Sequence, residues 1–127
     1  MKKEIIINKK APAAIGPYSS AVKIENLVFS SGQLPINSAT GEIVKGGIVE
    51  QAKKSLENLK EVLESYSIGL ENVIKTTIFL KDMNNFSLVN KAYGEYFTTQ
   101  FPARSCVEVA RLPKDADIEI EAIAFCE

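Results

Sequence analysis

Residues 48–66 have the apolar spacing of an amphipathic helix. The apolar residues recur at intervals of three and four, which places them along one face of such a helix. Two oppositely charged pairs four residues apart, Glu50 with Lys54 and Lys60 with Glu64, lie on its polar face. The apolar stripe consists of Ile48, Ala52, Leu56, Leu59, Val62, Leu63 and Tyr66.

A second helix is predicted to start near Asp82 or Asn84 and to run to about Phe97. Either of the first two residues can cap its N-terminus through a side-chain oxygen. Asn90 lies four residues after Phe86 and falls on the buried side, where an amide needs hydrogen-bond partners. Asn90 therefore either ties this helix to a loop or forms part of the wall of a site. The apolar stripe consists of Phe86, Val89, Tyr93 and Phe97.

The other apolar segments have the composition of strands. Residues 73–80 are dense in β-branched side chains, which favours a strand that is buried on both faces. Residues 21–31 form a hairpin that turns at Glu25 and Asn26, because asparagine tolerates the positive φ of tight turns. The remaining strand candidates are Ile5–Ile7, Arg104–Ala110 and Ile118–Phe125.

Alternation along the last two strands assigns their charged residues to faces. Arg104 and Cys106 lie on one face of the first of these strands. Glu119 and Glu121 share a face of the second strand with Ile123. Residues 11–20 contain two prolines and a glycine but no charge, so they form an apolar loop, which ends in Tyr18 and two serines that could line a site.

The order of these elements predicts an α+β fold. One domain, residues 1–127, would contain a single mixed sheet of about six strands with two helices on one face. Two helices can cover only one face of that sheet, and the strands carry apolar side chains on both. The second face would be a large exposed apolar patch unless another subunit covers it, so we expect a closed homo-oligomer. A charge on that second face would then be buried at or near a subunit interface.

Composition narrows the classes of function. Fifteen basic and sixteen acidic residues give a net charge of −1, which argues against nucleic acid as a partner. The chain has no histidine, which excludes histidine-based catalytic triads and histidine-ligated metals. It has no apolar run of membrane-spanning length and no signal peptide, so we expect a cytoplasmic protein. Cys106 and Cys126 match no metal-site spacing and are expected to be small buried residues.

Arg104, Glu119 and Glu121 are charges within otherwise apolar strands. Unpaired burial of a charge is costly, so such residues are usually paired, hydrogen-bonded or ready to bind a ligand. One interpretation is an internal Arg–Glu ion pair, or edge-strand charges that face water. The other is a cleft in which a guanidinium binds a carboxylate and a glutamate orients water. The pattern alone does not separate these two interpretations.

Six segments, in order and over nearly the whole chain, resemble the reactive-intermediate deaminase family, also called RidA or YjgF. The most specific of them is FPARSCVEVARLP at residues 101–113. One departure is Ser20, where many members carry glutamine. The other segments are AIGPYS at residues 14–19, FSSGQLP at 29–35, VIKTTIFL at 73–80, NKAY at 90–93 and IEIEAI at 118–123.

The resemblance implies a homotrimer with a chorismate-mutase-like fold, no cofactor and clefts between subunits. It implies hydrolysis of 2-enamine and 2-imino acids, such as 2-aminoacrylate, to 2-keto acids and ammonia. In these terms Arg104 binds the substrate carboxylate, Glu119 activates the attacking water, and the backbone at Cys106 contacts the amino group or water. Tyr18 would close the cleft. The residues implied to line it are Ser31, Gly32 and Asn90.

Two other classes of function remain open on sequence alone. Some relatives are described as translation inhibitors that cleave RNA, but the near-zero charge and the absence of histidine argue against a strong RNA site. A trimer that binds small carboxylic acids, or that has a chaperone-like surface, is the non-enzymatic alternative. The presence of Arg104 favours the deaminase.

Overall fold

The computed structural model describes all 127 residues of the chain. Short 3₁₀ turns at residues 70–72, 83–85 and 113–115 connect its longer elements. The two helices are α1 (Ile48–Glu64) and α2 (Phe86–Gly94). The strands are β1 (Lys3–Glu4), β2 (Ala21–Ile24), β3 (Leu27–Ser30), β4 (Val73–Leu80), β5 (Ala103–Glu108) and β6 (Ile118–Phe125).

The six strands form one mixed sheet in the order β1-β2-β3-β6-β4-β5. Only β4 and β5 run parallel, and every other neighbouring pair is antiparallel. A parallel pair needs a long crossover, which α2 supplies between β4 and β5. Both helices pack on one face of the sheet, α1 against β3 and β6 and α2 against α1. The predicted fold of two helices on a six-stranded mixed sheet is confirmed.

The predicted stripe of α1 is buried along its whole length. The helix ends at Glu64, two residues before Tyr66, but the Tyr66 ring remains in the core because its hydroxyl donates to the Ala21 carbonyl at 3.1 Å. The Glu50–Lys54 and Lys60–Glu64 pairs form no ion pair within 4.0 Å.

The second helix is shorter than predicted. The Asp82 carboxylate accepts from the Asn84 amide at 2.9 Å and caps the short turn that leads into α2. Phe97 lies beyond the end of the helix but is buried, and its amide donates to the Tyr93 carbonyl. Asn90 is exposed, contrary to the prediction, because α2 buries the neighbouring face that carries Val89 and Tyr93.

The structure differs from the strand and turn predictions in four details. The first strand is Lys3–Glu4 rather than Ile5–Ile7, because the Ile6 amide turns away to donate to the Tyr66 hydroxyl at 3.2 Å. In the hairpin turn Glu25, not Asn26, adopts positive φ, at 54°. Within one chain β4 is fully buried only on its helix-facing side, and β5 ends at Glu108 rather than Ala110.

The sheet face opposite the helices is not covered by any element of the chain. Its side chains are half-buried or exposed, including three large apolar residues that are at least one-third accessible. Glu119 and Glu121 also lie on this face, as the alternation predicted. We call it the open face. The exposed apolar residues of the open face are Phe29, Val107 and Phe125.

No helix in the structure combines the length and the apolar character needed to span a bilayer.

Candidate functional site

Arg104 is held in a fixed position without a charged partner. Its Nη1 donates to Asn90 Oδ1 at 2.8 Å. The guanidinium carbon lies 4.9 Å from the centre of the Tyr93 ring and 5.4 Å from that of Phe86. No carboxylate lies within 4.0 Å of Arg104. The guanidinium therefore keeps donors available for an anion, and its fork shape suits a carboxylate.

The Tyr93 ring beneath the guanidinium is fixed from the core side. Its hydroxyl forms a 2.8 Å hydrogen bond with the hydroxyl of Thr76, which is fully buried on β4. Burial raises the pKa of the Tyr93 phenol, although the Thr76 hydrogen bond and the Arg104 charge act in the opposite direction. The phenol therefore stays neutral and supports Arg104 through its ring.

Cys106 lies two residues after Arg104 on the same face of β5 and packs against the core. Burial raises the pKa of its thiol, and the nearby positive charge of Arg104 offsets this only in part. A thiol with a raised pKa is protonated at neutral pH and is a poor nucleophile. Both cysteines are free; Cys126 is buried, as predicted, but Cys106 is only half-buried, because it lies on edge strand β5.

Glu119 lies on the opposite side of the sheet from Arg104. Thr76 of β4 is in register with Arg104 of β5, and the Thr76 hydroxyl faces α2, so Arg104 faces the helices. Phe79, three residues after Thr76, points the other way and is in register with Glu119 of β6. The sequence pattern did not assign Arg104 to a face relative to the helices, and the strand register turns it toward α2. The alternative interpretation is wrong in its first part, because Arg104 forms no ion pair with a glutamate of the same chain. Its second part holds for Arg104, which is exposed on edge strand β5.

The Glu119 carboxylate packs directly against the backbone at Gly32. A Cβ on Gly32 would lie 2.6 Å from Cδ and 2.8 Å from Cγ of Glu119, and closer still to Oε1. Only glycine permits this approach. Burial raises the pKa of the Glu119 carboxyl, and the negative charge of Glu121 on the same face raises it further. This environment favours a carboxylate that can accept and return a proton.

Ser31 connects the Glu119 region to the apolar loop of residues 11–20. Its amide donates to the Ser20 carbonyl at 2.8 Å, and its hydroxyl donates to the Ser19 carbonyl at 2.7 Å. Tyr18, half of whose surface is exposed at 51 %, lines a small cavity together with Ser20 and Gly32. The sequence-predicted residues Tyr18, Ser31 and Gly32 are thus brought together with Glu119.

The predicted site residues therefore form two groups within one chain. The arginine half-site lies on the helix side of edge strand β5, and the glutamate half-site lies on the open face and the adjoining loop. No group of three or more acidic, histidine or cysteine residues is placed to bind a metal ion. The arginine half-site comprises Asn90, Tyr93, Arg104 and Cys106. The glutamate half-site comprises Tyr18, Ser31, Gly32 and Glu119.

Sequence reasoning missed the support beneath Arg104. It assigned Phe86 and Tyr93 to the core stripe of α2, although their spacing from Asn90, four and three residues, puts all three on one side of the helix. A buried threonine within an apolar strand was a second signal, because the Thr76 hydroxyl needs a partner.

Comparisons with known proteins identify the family of the chain. The model of the family described as endoribonuclease L-PSP matches residues 8–126. A RutC family protein of Pyrococcus abyssi is 54 % identical over 127 residues and covers both chains completely. The 2-iminobutanoate/2-iminopropanoate deaminase of Escherichia coli is 51 % identical over 122 residues, 94 % of each chain.

Solved structures share the fold of this chain. The crystal structure of E. coli TdcF with bound serine superposes with a TM-score of 0.93 at 43 % identity, covering 98 % of this chain and 99 % of that one. The matching fold, the family match over nearly the whole chain and the full-length relatives all agree with the motifs in the sequence. The chain therefore belongs to the endoribonuclease L-PSP family, the RidA/YjgF family of reactive-intermediate deaminases that its motifs resemble.

Proposed function

We propose that this protein is a cofactor-independent deaminase that hydrolyses 2-enamine and 2-imino acids to 2-keto acids and ammonia. The observation that carries the proposal is the unpaired Arg104 guanidinium, which Asn90 and two aromatic rings hold ready for a small carboxylate. A 51 % identical relative named as a deaminase for such substrates supports it. We place its action in the cytoplasm, in keeping with two free cysteines and no disulfide.

The proposal includes a homotrimer in which subunits complete one another's sites. Arg104 and Glu119 lie on opposite faces of the sheet, so one chain does not bring them together. If the β5 edge of one subunit docks on the open face of the next, the arginine half-site meets a neighbour's glutamate half-site. The same contact buries the apolar residues of the open face. Such head-to-tail contacts produce a closed ring, and the number three rests on the family resemblance.

The chemistry begins when the enamine tautomerises to an imine, which is electrophilic at C2. Arg104 binds the substrate carboxylate, and Glu119 takes a proton from water as the water oxygen bonds to C2. The C=N π electrons move to nitrogen, which takes the proton from Glu119, and a carbinolamine forms. Glu119 then takes the proton of the carbinolamine hydroxyl and passes it to the amino nitrogen as C2=O forms and the carbon–nitrogen bond breaks. Ammonia leaves and Glu119 is ionised again, so one imine and one water yield one 2-keto acid and one ammonia.

The other site residues are assigned positioning and contact roles. Tyr18 closes the cleft, while Ser31, Gly32 and Asn90 line it. The backbone at Cys106 contacts the amino group or the water, and its thiol takes no part in bond formation. These residues require no metal for the reaction, because the imine carbon is already electrophilic enough to be attacked by water.

The test is turnover of 2-aminoacrylate generated in situ by a serine dehydratase, with release of ammonia as the measurement. Arg104→Ala removes two charge-assisted hydrogen bonds of about 1.5–3 kcal/mol each, so kcat/KM should fall roughly 10²- to 10⁴-fold. Arg111→Ala is the matched control, because Arg111 is an exposed arginine that pairs only with Asp115. Wild-type ammonia release by Arg104→Ala would disprove the site, and 2-ketobutyrate binding without turnover of any imino acid would favour a carboxylate-binding protein.

A further inference from the structure

A cavity of about 470 Å³ opens beside Arg104 on the helix side of the sheet. Its volume lies within the range of about 300–1,000 Å³ that is typical of small-molecule sites. Arg104 and Asn90 form its polar end. The rest of its wall consists of Tyr93, Gly94, Phe97, Phe101 and Pro102.

The apolar wall is aromatic and partly rigid. Tyr93 and Phe97 are both buried, and their ring centres lie 4.5 Å apart with planes inclined by 30°. Phe101 is 72 % exposed and extends the aromatic wall to the mouth of the cavity. A cation at one end and aromatic carbon along the wall match a ligand with a carboxylate head and an apolar tail.

We propose that this cavity binds the substrate side chain, and that the protein hydrolyses 2-imino acids with a branched four-carbon or benzyl side chain more efficiently than 2-iminopropanoate. This inference rests on the deaminase function proposed above. It assigns Gly94 and Phe101 as the residues that determine specificity. When the substrate carboxylate is bound at Arg104, the methyl side chain of 2-iminopropanoate leaves most of the cavity to water. A longer apolar substrate side chain reaches the aromatic wall.

The magnitude of the preference follows from the buried hydrocarbon. Each buried methylene group contributes about fourfold in affinity, so three additional carbons predict at least a tenfold higher kcat/KM. A charged side chain in this cavity would lose water without gaining a partner, because beyond Arg104 and Asn90 the one side-chain polar atom of the wall, the Tyr93 hydroxyl, is already bonded to Thr76. Imino acids with an acidic side chain should therefore be the poorest substrates.

The test compares imino acids generated in situ by an amino-acid oxidase from alanine, leucine, phenylalanine and glutamate. Gly94→Leu is the filling variant, because a Cβ on Gly94 meets no atom within 4 Å. It should lower kcat/KM for the leucine-derived imino acid at least tenfold more than it lowers kcat/KM for 2-iminopropanoate. Phe101→Ala should remove most of the preference for large side chains. Leu88→Ala, an exposed apolar position on the same helix but outside the cavity, is the control.

Binding of 2-oxo acids tests the cavity separately from turnover. By calorimetry, 4-methyl-2-oxopentanoate should bind the wild type at least tenfold more tightly than pyruvate, and Gly94→Leu should abolish the difference. If that preference is present but no imino acid is hydrolysed, the proposed function fails and the cavity assignment holds. Equal binding of the two oxo acids, or a preference unchanged in both variants, overturns the assignment. The assignment is also overturned if Phe101→Ala changes the mass measured by light scattering but leaves the substrate preference unchanged. The wall would then be a subunit contact.

Discussion

The two half-sites differ in how far a single chain completes them. In the arginine half-site, Arg104 is fixed by an amide, two rings and a buried hydroxyl that all come from the same chain. In the glutamate half-site, Glu119 lies on an uncovered face and rests mainly against the backbone of Gly32. The anion-binding group is preorganised, whereas the proton-transfer group is exposed on one side. In the proposed trimer we therefore expect the second subunit to matter more to Glu119 than to Arg104.

Mixing two inactive variants tests whether the half-sites come from different chains. Arg104→Ala and Glu119→Gln should each reduce kcat/KM by about 10²-fold or more, since each removes one essential group. If a site uses Arg104 of one subunit and Glu119 of the next, hybrid trimers regain some intact sites. Random reassembly of equal amounts should restore about one quarter of the wild-type activity.

The measurement is ammonia release after the two variants are unfolded together and refolded. Separately refolded variants, mixed only afterwards, serve as the control for exchange. Hybrids as inactive as the separate variants would show that Arg104 and Glu119 act from one chain.

Gly32→Ala tests the weaker support of Glu119. The added Cβ would collide with the Glu119 carboxyl group and displace it. A displacement of about 1 Å at a reacting group can reduce the rate about 10²-fold, so kcat should fall by that order while oxo-acid binding at Arg104 changes little. Gly47→Ala is the matched control, because no atom lies within 4 Å of its added Cβ. Equal losses in kcat and in oxo-acid affinity would contradict the separation of the two half-sites.

Removal of one hydroxyl tests the internal support of the arginine half-site. Tyr93→Phe keeps the ring under Arg104 but leaves the buried Thr76 hydroxyl unpaired, which should reduce the free energy of unfolding by about 1–3 kcal/mol. The double variant with Thr76→Val should recover most of that loss, because both polar partners are then replaced. Urea unfolding measures both changes. A double variant less stable than Tyr93→Phe alone would show that the hydrogen bond is not the stabilising feature.

The sequence predicted the layers of the fold better than the relation between the half-sites. The apolar stripe of α1 and the alternation of side chains between the two faces of β6 follow from local spacing, and the structure confirms both. The relative faces of Arg104 and Glu119 depend on how β4 is aligned with β5 and β6. That alignment is set by long-range pairing, which alternation within one strand does not reveal.

The exposure of Asn90 and the end of the first strand also depend on contacts between residues that are far apart in the sequence. Asn90 matched the buried stripe by spacing, but α2 is rotated so that Asn90 is exposed and reaches Arg104 on β5. The first strand stopped before its isoleucines because the Tyr66 hydroxyl, sixty residues away, takes the Ile6 amide. Such partners are distant in sequence, and local pattern carries no information about them.

The smallest expected effect concerns the proton affinity of Glu119. Its carboxylate must be ionised to accept a proton from water, so kcat/KM should fall as the pH drops through its pKa, which burial and Glu121 both raise. Glu121→Gln removes the neighbouring negative charge and lowers that pKa, so the acid limb should move to lower pH with little change in the plateau rate. Identical acid limbs in the wild type and in Glu121→Gln would show that Glu119 does not control the pH dependence.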